Sequence, residues 1–128
     1  MSSPSNDNTG QWDAGLGRPL CHILTPVGML GYGFDEASTQ HELVSLLSTG
    51  VPTAIILDSG STDSGPQKLA LGSMSCPRSA YHEDLTKLLR LVHNLRVPLI
   101  YSSAGGDGTD EHVRENAEII QEIAEVES

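Results

Sequence analysis

Three short apolar runs punctuate the chain, and each ends in a cluster of glycines. The first, Leu20-Cys-His-Ile-Leu24, stops at Thr25-Pro26 and opens into Gly28-Met-Leu-Gly-Tyr-Gly33. The second, Thr53-Ala-Ile-Ile-Leu57, is continuously apolar and rich in β-branched residues, which suits a parallel strand covered on both faces, and it stops at Asp58. The third, Val97-Pro-Leu-Ile-Tyr101, leads into Ser102-Ser-Ala-Gly-Gly-Asp-Gly-Thr109. Helical spacing fills the intervals. Asp35 is placed to cap a helix carrying Leu43, Val44, Leu46 and Leu47 before Gly50 and Pro52 stop it. Leu85, Leu88, Leu89, Val92 and Leu95 mark a second, with His82-Glu-Asp84 near its start and Arg90 and Arg96 toward its end, as the helix dipole prefers. A third begins near Asp110 and is expected to bury Val113, Ala117, Ile120 and Ala124 while Glu111, Glu115, Glu118, Glu122 and Glu125 face water. Residues 58–79 show no periodicity and predict a loop longer than an α/β unit normally needs.

The alternation β-α-β-α-β-α predicts a small three-layer α/β fold: a parallel sheet with right-handed crossovers and all three glycine-rich loops at its carboxyl edge, where ligands gather. Residues 1–17, rich in Ser, Asn, Asp and Gly, are too polar to offset their ordering entropy and read as a disordered leader, leaving 18–128 as one domain. Three strands are few for a parallel sheet. A larger partner chain or a homo-oligomer is therefore expected.

Charge narrows the partners. Seventeen acids against seven Lys and Arg give a net charge of −10, which disfavours nucleic acid and anionic membrane surfaces and leaves small molecules or proteins. No apolar stretch reaches the roughly 20 residues of a membrane span, and the N-terminus lacks the pattern of a secretion signal, so the cytoplasm is the expected compartment. Cys21 and Cys76 lack metal-ligand spacing, and no two of the five histidines stand at the i, i+4 spacing of a helical zinc site.

The richest chemistry lies in Asp58-Ser-Gly-Ser-Thr-Asp-Ser-Gly-Pro66. Asp58 and Asp63 are the candidate acid–base residues, and the same carboxylates are the candidate Mg²⁺ ligands. Ser59, Gly60, Ser61, Thr62 and Gly65 supply hydroxyls and approachable amides for a ligand. Ser103, Gly105 and Gly106 precede a helix N-terminus, which attracts anions. Gly28, Gly31 and Tyr32 form a less polar wall or lid. His112, just after the third loop, is the histidine best placed to face a ligand.

The succession Thr25-Pro-Val-Gly-Met-Leu-Gly-Tyr-Gly-Phe34, Asp58-Ser-Gly-Ser-Thr-Asp-Ser-Gly-Pro66 and Ser103-Ala-Gly-Gly106 resembles the acyclic terpene utilisation (AtuA-like) family over about residues 24–126. That family is longer than this chain, so the resemblance implies an N-terminal portion or a short form. It also implies a cytosolic protein of isoprenoid-acid breakdown that takes a small acyl or carboxylate ligand. Two shorter matches point instead to nucleotide or phosphate binding. Asp58-Ser-Gly-Ser-Thr62 resembles the phosphate loop of actin-like sugar kinases, and Gly105-Gly-Asp-Gly-Thr109 resembles the signature of NAD and diacylglycerol kinases. A third possibility is a non-catalytic module that associates through its sheet edge or through an apolar lid of Met29, Leu30 and Tyr32.

Overall fold

The structure is a computed structural model describing residues 17–60 and 65–127. Strand β1 (His22–Leu24) leads through a glycine-rich loop to α1 (Glu36–Leu47), then β2 (Thr53–Asp58), α2 (Gly65–Leu71), α3 (Arg78–Leu95), β3 (Leu99–Ser102), a 3₁₀ turn (Ala104–Gly106) and α4 (Asp110–Glu127). The three strands pair in parallel in the order β1-β2-β3, with Ile23 beside Ala54 and Ile56 beside Ile100. The α/β class, the parallel sheet and the alternation of elements match the pattern of apolar runs. The first sixteen residues of the expected leader lie outside the described residues.

Burial is one-sided. Ile55 and Leu57 point from β2 into a core with Leu43 of α1, Tyr81, Leu85, Leu88 and Leu91 of α3, and Ile119 and Ile123 of α4. Leu24, Leu99 and Tyr101 pack against it from the flanking strands. Each fully buried aliphatic side chain stabilises by about 1.5–3 kcal/mol. On the opposite face Ile23 and Ile100 are 58% and 57% exposed. The physical reason is winding: when consecutive strands are added in one direction by right-handed crossovers, each crossover returns over the same face. Among the described residues the fold therefore has two layers, the sheet and its helices, where helices on both faces were expected.

Two local expectations also change. The aperiodic segment after β2 contains the helix α2, Gly65–Leu71. Helix α4 buries His112, Asn116, Ile119 and Ile123, one position round from the predicted stripe, and leaves Val113 49% exposed. Its N-terminal half meets the polar end of the sheet, where Tyr101 donates a hydrogen bond to Asn116 Oδ1 at 2.8 Å and Asn116 Nδ2 donates to the His112 carbonyl at 3.0 Å. Polar side chains hold the inward positions there because they have partners.

Candidate functional site

Asp58 ends β2 on the outward side of the sheet, in register with Ser102 of β3. Its Oδ1 accepts the Gly60 amide at 2.9 Å and the Ser102 hydroxyl at 3.1 Å. The Gly60 amide, opposed by partial burial and aided by Ser102, holds this carboxyl below its usual range. Asp58 is thus an exposed, ionised acceptor at neutral pH.

Below it the chain turns inward. Ser59 is wholly buried, and its amide donates to the Ser102 carbonyl at 2.9 Å. Among the described residues its hydroxyl has no hydrogen-bond partner, and neither has the buried Tyr81 hydroxyl, which lies close to Ser59 and Cys76. Burial, reinforced by Cys76, pushes the Tyr81 phenol up. Gly60 then passes against the third loop so closely that a Cβ there would stand 2.7 Å from Ser103 Cβ and 3.0 Å from the Gly106 carbonyl. Only glycine permits that approach. Ser103 itself is left-handed at φ 58°, ψ 43°, a conformation costing a non-glycine residue on the order of 1–2 kcal/mol.

The first and third loops are tied to this junction by different devices. Leu30 donates its amide to the Asp58 carbonyl at 2.9 Å. The amides of Gly31 and Gly33 converge on one oxygen of Asp84, at 2.8 and 3.0 Å, and Asp84 is only 1% exposed. On the other side Ser75 donates its amide to the Gly105 carbonyl at 2.9 Å, and its buried hydroxyl, also without a partner among the described residues, fills the space that a Cβ on Gly106 would need. Behind this turn Asp107 Oδ1 accepts the Thr109 amide and hydroxyl, both at 3.1 Å, and lies 2.7 Å from His112 Nδ1. Burial alone would raise the Asp107 pKa, but the Thr109 amide and His112 outweigh it and the carboxyl sits below its usual range. An ionised carboxylate only accepts, so Nδ1 carries the proton.

Among the predicted site residues, Asp58, Ser59 and Gly60 meet Ser103, Gly105 and Gly106 at one place. Gly31 joins them indirectly through the Leu30 bond to Asp58. Gly28 and Tyr32 face solvent, Tyr32 at 68% exposure, and Gly65 opens α2. Ser61, Thr62 and Asp63 lie outside the described residues. Leu30 is fully buried, so the apolar lid reduces to partly buried Met29 and exposed Tyr32. The His112 ring is nearly enclosed and engaged by Asp107 rather than open to a ligand. Sequence reasoning missed Asp84, Ser75 and Tyr81, which meet loop residues far away in the chain: Gly31 and Gly33, Gly105, and Gly31 again.

Among the described residues, no three His, Cys, Asp or Glu side chains gather as a metal site. Asp58 alone would leave Mg²⁺ depending on Asp63 or on the ligand's own oxygens. An open groove of about 350 Å³ lies elsewhere, lined by Glu36 and the α3 residues Ser79, His82, Glu83, Thr86, Lys87 and Arg90. Its two strong cations are already engaged, Arg90 with Glu36 at 3.1 Å and Lys87 with the Phe34 carbonyl at 2.9 Å. The carboxyl edge, with an exposed ionised acid over buried hydroxyls that lack partners among the described residues, carries more chemistry. The segment after Asp58 leads into a helix, not into the hairpin that the sugar-kinase phosphate loop requires. Comparison with protein-family models, curated proteins and solved structures finds no match to this chain.

Proposed function

We propose that this chain is an AtuA-like domain that binds a small acyl or carboxylate ligand at the carboxyl edge of its sheet, with Asp58 as the principal polar contact. The reading rests on one observation: the close packing of Asp58-Ser59-Gly60 against Ser102–Gly106, with the first loop hydrogen-bonded to the same strand end. Parallel sheets collect ligands at this end because loops from adjacent strands converge there. Ionised Asp58 suits a ligand hydroxyl or thiol directly. A ligand carboxylate or phosphate requires Mg²⁺ between the two negative charges, with Asp63 as the second candidate ligand. In an enzymatic form of this function, Asp58 or Asp63 takes the proton.

The test is a thermal-shift screen of acyl-CoAs, organic acids and nucleotides, each with and without Mg²⁺. A ligand at about 100 times its dissociation constant adds about 2.7 kcal/mol to apparent stability. Acyl or carboxylate compounds should raise the melting temperature, and Asp58→Asn should weaken that rise at least tenfold in ligand concentration. A rise unchanged in both Asp58→Asn and Asp63→Asn would refute the site, and a response confined to nucleotides would move the assignment to phosphate chemistry.

A further inference from the structure

Two hydroxyls are buried beneath the carboxyl edge at a cost to the fold. Ser59 and Tyr81 are each 0% exposed, their hydroxyls are neighbours, and neither has a hydrogen-bond partner among the described residues. A buried hydroxyl left unpaired costs about 1–3 kcal/mol, which alanine and phenylalanine at these two positions would avoid. Local rules are broken in this way where a ligand completes the bonding. The first glycine-rich loop lies against the pair: a Cβ on Gly31 would stand 3.3 Å from Tyr81 Cε1 and 2.8 Å from Cys76 Sγ. Gly31 and Gly33 have φ of 103° and 89°, so this cover is bare backbone, tied down by its amide bonds to Asp84.

Charge selects the ligand class. Asp58 immediately precedes Ser59, and Asp107 follows Gly106, whose carbonyl would lie 3.0 Å from a Cβ on Gly60. Both carboxyls are ionised at neutral pH. A further anion placed among them is unfavourable without a cation, whereas a neutral carbonyl oxygen still accepts two hydrogen bonds through its lone pairs. Hydroxyl hydrogens rotate to suit an acceptor, so both side chains can donate to one oxygen. We propose that Ser59 Oγ and Tyr81 Oη donate together to the neutral carbonyl oxygen of an acyl ligand, which reaches them by displacing the loop at Gly31. This inference rests on the ligand reading above and narrows it, from an acyl or carboxylate compound to an uncharged acyl group.

NMR titration of the full chain near neutral pH, with three compounds of the same chain length, reads the outcome: methyl butyrate has the neutral carbonyl, n-butyl methyl ether lacks it, and butyrate carries the charge. Methyl butyrate should shift the Gly31, Ser59 and Gly60 amides and bind about tenfold or more tightly than either of the others, as two net hydrogen bonds allow. Ser59→Ala and Tyr81→Phe should each lower its affinity about fivefold, the effect of one such bond. Both variants should melt no lower than wild type, because each loses a hydroxyl that has no partner in the free protein. Variants that melt well below wild type and keep the preference for ester over ether would overturn the proposal, the hydroxyls then only holding the fold. Equal binding of ester and ether, or binding of neither, would overturn it as well. Asp58→Asn separates this failure from that of the wider reading: butyrate binding that needs Mg²⁺ and Asp58 but neither Ser59 nor Tyr81 removes the carbonyl site and leaves a carboxylate ligand at the sheet edge.

Discussion

Replacing Asp84 by alanine tests how the first loop is held. One carboxylate oxygen, almost completely buried, accepts the amides of Gly31 and Gly33 at 2.8 and 3.0 Å. Hydrogen bonds to a charged acceptor contribute roughly 1.5–3 kcal/mol each. Gly33 is exposed, so water can replace its lost acceptor, whereas the half-buried Gly31 amide recovers less. The net loss expected for Asp84→Ala is therefore about 2–4 kcal/mol, most of it at Gly31. For a domain of this size that is roughly 7–15 °C in melting temperature. Asp84→Asn keeps an oxygen acceptor without its charge and should fall between wild type and alanine. Thermal unfolding by circular dichroism gives the ranking, and amide exchange by NMR locates it, with Gly31 exchanging faster than the amides of β2 in the alanine variant. An alanine variant melting within about 2 °C of wild type, with Gly31 still protected, would refute the idea that Asp84 anchors the loop.

Burial, with Tyr81 as a lesser cause, pushes the Tyr101 phenol up to about 12 from 10.0. A raised phenol pKa leaves stability intact below pH 10 and removes it as pH climbs toward 12, so alkaline unfolding should begin in that window and be shallower in Tyr101→Phe. Asp107 shifts the other way: its lowered pKa contributes stability above the ordinary value of 3.8 that is lost as pH falls below it. Asp107→Asn should consequently narrow the difference in denaturant-derived stability between pH 7 and pH 3. Gly105→Ala places a Cβ 2.6 Å from His112 Cβ at a φ of 76°, so it should cost about 2 kcal/mol or more and shift the His112 ring resonances in NMR spectra.

Much of this architecture was legible because period and composition act locally. Thr53–Leu57 and Val97–Tyr101 read as strands from their apolar and β-branched content, and Leu85, Leu88 and Leu95 read as a helix from their spacing. Asp84 was legible only as a helix-start charge, since its partners Gly31 and Gly33 lie more than fifty residues away. The buried face of α4 was misjudged for the complementary reason: His112 and Asn116 are inward because Asp107 and Tyr101 satisfy them, and apolar periodicity cannot register a polar residue that has found a partner. Residues 65–71 carried too little periodicity to announce a helix. The one-sided layering follows from strand order, and no single segment encodes that order.

Because every crossover winds back over the same side, β3 remains an edge strand among the described residues, with the outward amides and carbonyls of Leu99–Ser102 available to another backbone. A further β-α unit grafted after α4 could pair there in the same direction and add its own turn beside Ser103 without reopening any existing hydrogen bond. The module is in this sense extensible: its carboxyl edge can be widened one strand at a time, by appending sequence rather than by redesigning the core.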